Sequence, residues 1–229
     1  LLADQRPEGS RFSMLETIRD YAWEELRASG EAPALQRRHA EYFARMAGEL
    51  GMVQPGQDAR DQRLTQEMAN VRAALGWAIE ANEPAVGLRL ATPLGRYWYS
   101  HGAFEEGGFW LRALLALDAQ AGERAVEPHV RVWALYSLIL LTLDQHDFDQ
   151  AEALAREGLA LARQQQDGAG VGNMLTELGH VAEARGDLNA ALALFEEGLA
   201  SFRASGHEGA AGRTLSSLGN IERALGHYE

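Results

Sequence analysis

The sequence predicts an all-α protein built from stacked helix pairs, and three observations support that prediction. Residues 147–186 align with residues 187–226 without a gap, and 15 of the 40 aligned positions are identical. Apolar residues recur at helical spacing through the same region, which is typical of amphipathic helices. Proline is rare, at six of 229 residues. A fixed repeat of this length indicates that one helix pair cannot bury its own apolar face and stacks on the next.

Each repeat divides into two predicted helices joined by a short turn. Residues 172–186 form the first helix, with Leu175 and Leu178 on its apolar face. Gly186 then supplies a left-handed C-cap, and Asp187 supplies the N-cap of the second helix. Glycine inside a helix costs about 1 kcal/mol relative to alanine. We therefore expect two helix backbones to approach closely at the recurring interior glycines, which are Gly158, Gly179, Gly198 and Gly219.

This pattern resembles the tetratricopeptide repeat. The residues that carry the resemblance are Leu178-Gly179, Gly186-Asp187-Leu188, Ala191, Phe195 and Gly198-Leu199. The resemblance implies a right-handed α-solenoid, although the period of about 40 residues exceeds the usual 34 or so and the helix-ending proline is missing. Residues 101–117 resemble residues 146–162, where Phe104 matches Phe148 and Leu115 matches Leu159 at an offset of 44. We therefore expect irregular helical repeats over 51–125 and regular ones over 126–229, truncated at the C-terminus.

The first fifty residues have a different pattern. Pro7-Glu8-Gly9-Ser10 predicts a turn between two short strands, and helices are predicted over 15–29 and 35–50. The order of residues 11–22, then Gly30-Glu31, Arg38-His39 and Tyr42-Phe43 resembles a junction in the signal-transduction ATPases with numerous domains. These STAND-type proteins are bacterial transcriptional regulators. The resemblance implies that residues 1–50 end a winged helix, keeping a short β-hairpin. It also implies upstream NTPase and winged-helix modules in a cytoplasmic parent chain.

Reactive chemistry is scarce in this sequence. Cysteine is absent, and no G-x-x-x-x-G-K-[ST] phosphate loop occurs. The glycine-rich residues 168–173 lack a preceding strand, so we interpret them as a turn that starts a helix. These features predict a non-enzyme with no cofactor and no metal. The net charge of −12 argues against direct nucleic-acid binding, and no apolar run is long enough for a membrane partner.

Two groups of residues are candidates for binding. We expect the first helix of each pair to face the inner, concave side of the solenoid. The resulting groove candidates for a peptide, a protein or a small inducer are Tyr136, Asn173, Glu177, His180, Arg213, Ser217 and Asn220. A merely solvated surface would vary between repeats in the same way. The second group either forms an aromatic binding wall or packs in the core, and it contains Tyr97, Trp98, Phe104 and Trp110.

These observations lead to one main hypothesis about function. The chain is the ligand-sensing and protein-interaction region of a multidomain bacterial transcriptional regulator, and it relays a signal to an NTPase module outside this sequence. The alternative is a tetratricopeptide scaffold that assembles protein partners without sensing an inducer. An enzyme is disfavoured because no catalytic constellation is present.

Overall fold

A computed structural model of the chain describes residues 2–6, 9–52, 57–122 and 125–226. The chain divides into two compact units, Leu1–His39 and Ala40–Glu229. We expected the first boundary at residue 50. That module boundary stays a prediction, and Ala40, Phe43 and Met46 are buried in the core of the second unit.

The first unit contains a β-hairpin and a helix. Strand β1 (Leu2–Arg6) pairs antiparallel with β2 (Gly9–Ser13), and Leu2 lies opposite Ser13. Pro7 and Glu8, where a turn was predicted, lie outside the described residues. Helix α1 (Glu16–Ala28) buries none of its residues. Ile18 is 52% and Tyr21 63% exposed, so these two apolar residues of α1 are uncovered.

The second unit is a succession of helices, each packed on its neighbours along the chain. Helix α2 (Ala32–Met52) crosses the boundary between the units. The helices that follow are α3 (Gln57–Glu80), α4 (Pro84–Ala91), α5 (Gly95–Ser100), α6 (Phe104–Asp118), α7 (Pro128–Asp144), α8 (Phe148–Gln164), α9 (Gly168–Ala184), α10 (Leu188–Ala204) and α11 (Glu208–Leu225). Helix α7 also contacts α9, and α9 contacts α11. This sequential packing is that of helix-pair repeats.

The ends of the helices show the repeat most directly. Residues with positive φ follow helices at intervals of 20 residues, namely Asn82, Gly102 and Gly122, and then His146, Gln166, Gly186, Gly206 and Gly226. The two series are separated by 24 residues, because the connection before α7 is longer than the others and the preceding α6 is slightly shorter. That longer connection explains why the earlier copy aligns at an offset of 44 rather than 40.

The N-caps confirm the prediction made for Asp187. Its side chain accepts a hydrogen bond from the backbone N–H of Ala190 (3.0 Å). Asp167 caps α9 in the same way, through the N–H of Gly170 (2.9 Å). Helix α9 therefore begins at Gly168, and the predicted start at residue 172 was too late. Residues 168–173 are the first turns of this helix rather than the turn between repeats.

Three of the four interior glycines lie against a neighbouring helix, and at Gly198 the atoms met include backbone, as predicted. A Cβ on Gly179 would lie 2.5 Å from the ring of Phe195, and one on Gly158 would lie 2.6 Å from the sulfur of Met174. A Cβ on Gly198 would lie 3.2 Å from the carbonyl oxygen of Gly172. The prediction is wrong for Gly219, where a Cβ would meet nothing within 4 Å. Within the described residues, no helix covers that face of α11.

The apolar core of the second unit has two parts. The larger part runs from α2 to α9, and its fully buried side chains include Trp98, Leu135 and Met174. The smaller part lies between α10 and α11, around Phe195, Phe202 and Ile221. None of the helices in the described part of the chain has the length and apolarity that would let it cross a bilayer.

Candidate ligand groove

A cavity of ≈ 380 Å³ lies along the first helices of successive pairs. We call it the groove cavity. Its walls come from α5, α7, α9 and α11, with Phe202 of α10. It brings together six of the seven groove candidates, namely Tyr136, Asn173, Glu177, His180, Arg213 and Ser217. Asn220 lies outside it and is exposed, where its amide oxygen accepts a hydrogen bond from Arg223 (3.0 Å).

One wall depends on a close contact between α5 and α7. A Cβ on Gly95 would lie 2.5 Å from the Cβ of Ser137, so only glycine allows this approach. The Ser137 hydroxyl donates to the carbonyl oxygen of Thr92 (3.1 Å) and fixes the start of α5. This contact brings Arg96 and Tyr99 to the groove cavity beside α7.

A pair of threonines joins α9 to α11. The hydroxyl oxygens of Thr176 and Thr214 lie 3.3 Å apart. Each hydroxyl has one hydrogen, so one threonine donates to the other while its partner donates to the backbone of its own helix, either Thr176 to Gly172 (2.8 Å) or Thr214 to Ala210 (3.3 Å). Both threonines line the groove cavity, so its α9 and α11 walls are held together by side chains that face it.

Two polar side chains of α9 are buried at this cavity. Glu177 is 5% exposed and Asn173 is 6% exposed. Neither side chain forms a hydrogen bond or an ion pair with another residue in the described part of the chain. Burial raises the pKa of Glu177 to about 7, against the opposing positive charge of Arg213. A carboxyl group in this state can accept a proton, or a hydrogen bond from a ligand, near neutral pH.

The Tyr136 hydroxyl experiences the charges of three cavity residues. Burial, together with the negative charge of Glu177, raises the pKa of Tyr136 to about 12. The positive charges of Arg213 and Arg96 lower it. One carboxylate and two guanidinium groups therefore act on the same phenol from different sides of the groove cavity.

Sequence reasoning missed Arg96, Tyr99 and the threonine pair, which also line the groove cavity. The signal for Arg96 was present in the repeat. At the offset of 44, Arg96 corresponds to Leu140, which in turn corresponds to His180 at the offset of 40. Tyr99 is 45% exposed, and the negative charge of Asp144 raises its pKa.

The aromatic candidates belong to the packing of the second unit. Trp98 is fully buried, and a Cβ on Gly107 of α6 would lie 2.7 Å from its ring. Tyr97 is 7% exposed, and its hydroxyl lies 2.9 Å from that of Thr65. Phe104 and Trp110 pack against the same core. None of the four lines the groove cavity. On α5, Tyr97 contacts Thr65 of α3 and Trp98 packs against Gly107 of α6 instead.

No acid or histidine cluster suited to a metal ion is present in the described ranges. His180 places its ring against Phe195, with the ring centroids 5.0 Å apart. Its Nδ1 lies 3.5 Å from a carboxylate oxygen of Glu183.

Comparison with known proteins identifies related sequences and a related fold. No family model matches the chain. The chain is 31% identical over 184 residues to the "Putative HTH-type transcriptional regulator Rv0890c" of Mycobacterium tuberculosis. The "Putative HTH-type transcriptional regulator Mb0914c" of Mycobacterium bovis matches equally. Each match covers 78% of this chain and 21% of the relative, so the chain spans about a fifth of the length of these regulators.

Among solved structures, the crystal structure of BtubC (BKLC) from P. vanneervenii is similar, with a TM-score of 0.52. The match covers 86% of this chain and 91% of BtubC at 17% sequence identity. At this identity the likeness establishes the fold alone, and that fold is tetratricopeptide-like.

Proposed function

We propose that this chain is the non-catalytic ligand-sensing and protein-interaction region of a larger cytoplasmic bacterial transcriptional regulator. The observation that carries the proposal is the groove cavity, in which six positions chosen from the repeat pattern on α7, α9 and α11 line one space. A right-handed solenoid would present this space on its concave side. A peptide, a protein segment or a small inducer binds there and changes the packing of neighbouring helix pairs.

The rest of the regulator lies outside this sequence in the proposal. Similarity to proteins of which the match covers only 21% supports a chain with further modules. The uncovered apolar residues Ile18 and Tyr21 of α1 suit contact with an upstream winged helix of the STAND type. An NTPase module there receives the signal. The sensing region itself binds no nucleic acid, because its net charge of −12 repels phosphate backbones.

The alternative proposal is a scaffold that assembles protein partners without an inducer. Trp133 favours it, since this residue occupies the repeat position of Asn173 and is 37% exposed. Exposed tryptophans are common anchors of protein interfaces.

Ligand binding separates the two proposals. We would screen the 229-residue chain against metabolites and short peptides by thermal shift and measure each hit by calorimetry. The sensing proposal expects a saturable ligand whose affinity falls at least roughly tenfold in Asn173→Ser. Asn220→Ser is the matched control, because Asn220 lies outside the groove cavity, and it should bind normally.

Two results would contradict sensing. One is a screen without a saturable ligand. The other is a defined partner protein that binds wild type and Asn173→Ser equally but loses affinity in Trp133→Ala, which would favour the scaffold.

A further inference from the structure

Within the described part of the chain, two exposed arginines at the groove cavity lack the carboxylate partner that several other arginines have. Arg131 of α7 pairs with Asp118 (2.7 Å) and Glu157 (2.8 Å), and Arg163 of α8 pairs with Glu197 (2.8 Å). Arg96 and Arg213 have no such partner among the residues that the structure describes. Arg213 donates only to the backbone carbonyl oxygen of Gly209, at 3.4 Å.

A free guanidinium group in a cavity favours an anionic ligand. Its planar set of N–H groups matches a carboxylate, to which it can donate two parallel hydrogen bonds. Arg96 comes from α5 and Arg213 from α11, so the two cations reach the groove cavity from opposite ends of the helix stack. Both act on the Tyr136 hydroxyl, which places them within electrostatic reach of one point in the cavity.

Glu177 favours a hydrogen-bond donor or a positive charge on the ligand. A buried carboxyl without a hydrogen-bond partner carries a desolvation cost that folding has not recovered. Asn173, one helical turn earlier on α9, is buried and unpartnered in the same part of the cavity. A ligand ammonium group brings several N–H donors, enough for the oxygens of both side chains. It would also pair with the ionised form of Glu177.

The combined charges favour a ligand that carries both signs of charge over simpler ligands. A plain carboxylate satisfies the two arginines but leaves Glu177 without a donor. A plain amine satisfies Glu177 but meets two guanidinium cations. The cavity volume of ≈ 380 Å³ lies within the range typical of small-molecule sites.

We propose that the groove ligand carries both a primary amine and a carboxylate, with the amine at Glu177 and Asn173 and the carboxylate at Arg96 and Arg213. This inference rests on the proposed sensing function and names its ligand class. A free amino acid and a short peptide share this chemistry, and both are probes in the test.

Calorimetry on the 229-residue chain tests the inference with matched probes. The probes are the standard α-amino acids, their dipeptides, the carboxylic acids that lack the amine, and the amines that lack the carboxylate. We expect at least one amino acid or dipeptide to bind at least roughly tenfold more tightly than both of its truncated analogues. A free amino acid that binds alone identifies a metabolite sensor, and a preference for dipeptides identifies a peptide sensor.

Single substitutions then assign the two ends of the ligand. Glu177→Gln should weaken the amine-bearing ligand at least roughly tenfold and leave binding of the matched acid unchanged. Arg213→Gln should weaken the binding of both the amine-bearing ligand and the matched acid. Glu196→Gln and Arg203→Gln are the controls, because these exposed residues of α10 lie outside the groove cavity. Circular dichroism checks that each variant keeps its helices.

The outcomes distinguish this inference from the function on which it rests. If no amino acid or dipeptide binds at millimolar concentration, the inference is wrong. If another class of ligand binds and depends on Asn173, sensing stands and the amino-acid chemistry fails. If the broad screen also finds no ligand, both proposals fail.

Discussion

At the scale of single residues, Glu177 combines a structural cost with an opportunity for binding. Its neighbours Thr176 and Leu178 have hydroxyl and apolar partners within the fold, whereas the carboxyl of Glu177 has none among the described residues. Burial in the folded chain favours the neutral form of this carboxyl, so its pKa rises from 4.5 to about 7. In the unfolded chain the carboxyl is solvated and keeps its ordinary pKa of 4.5.

The shift of Glu177 predicts a pH-dependent stability difference. Below about pH 4.5 the group is protonated in both states and contributes nothing. As the pH rises to about 7, the unfolded state ionises while the folded state resists, so wild type loses stability that Glu177→Gln keeps. We therefore expect the difference in free energy of unfolding between Glu177→Gln and wild type to shift by about 3 kcal/mol in favour of the variant over this pH range. Urea denaturation at pH 4.5 and pH 8 measures this gain.

Glu196→Gln provides the control for this experiment, because Glu196 is exposed on α10. Its stability difference from wild type should be nearly the same at both pH values. An equally flat difference for Glu177→Gln would show that the carboxyl is not held neutral by burial.

At the scale of helices, the same repeat position can have different surroundings. Gly179 of α9 and Gly219 of α11 are related by the 40-residue repeat. The first faces Phe195 of α10 at a distance that leaves no room for a Cβ, and the second faces open space. Identical residues thus serve close packing in one helix and have no packing role in the other.

Alanine at these two positions should have opposite effects. Gly179→Ala should lower the free energy of unfolding by about 1–3 kcal/mol, because the methyl group overpacks against Phe195. Gly219→Ala should raise it by about 0.5–1 kcal/mol through helix propensity alone. Urea denaturation of both variants provides the comparison. Stabilisation by Gly179→Ala would mean that α9 and α10 do not approach as closely as the structure indicates.

At the scale of the second unit, stability is shared mainly between neighbouring helices. The α10–α11 core is separate from the larger core that runs from α2 to α9. In stacked repeats each element contacts only those next to it, so local destabilisation spreads over a short distance.

Ile221→Ala tests this short range. Ile221 is 1% exposed in the α10–α11 core, and its truncation should cost about 2–5 kcal/mol there. We expect hydrogen exchange, followed by mass spectrometry, to accelerate at least tenfold in α10 and α11. Exchange in α4 to α7 should change little. Leu215→Ala, at a 44% exposed position of α11, should leave the pattern unchanged. Uniform acceleration across the helices would indicate one cooperative unit instead.

Local rules were sufficient to predict much of this organisation. The cap at Asp187, the left-handed Gly186 and the 40-residue period depend only on residues near each other in the chain. The six groove candidates that line the cavity could also be predicted in this way, because helical spacing and repeat register place equivalent positions on one face. Neither rule showed that Glu177 is buried without a partner.

The amino-acid sequence by itself determined the repeating helices, caps such as Asp187 and Gly186, and most of the groove candidates, because these follow from side-chain period and capping. Only the tertiary structure decided which side chains gain a neighbour. It buried Trp98 beneath α6, left Gly219 uncovered, and placed Asn220 outside the groove cavity. Arg96 entered the cavity because Gly95 allows α5 to approach Ser137 of α7. Burial depends on the next helix in the stack, and no local pattern within one helix encodes it.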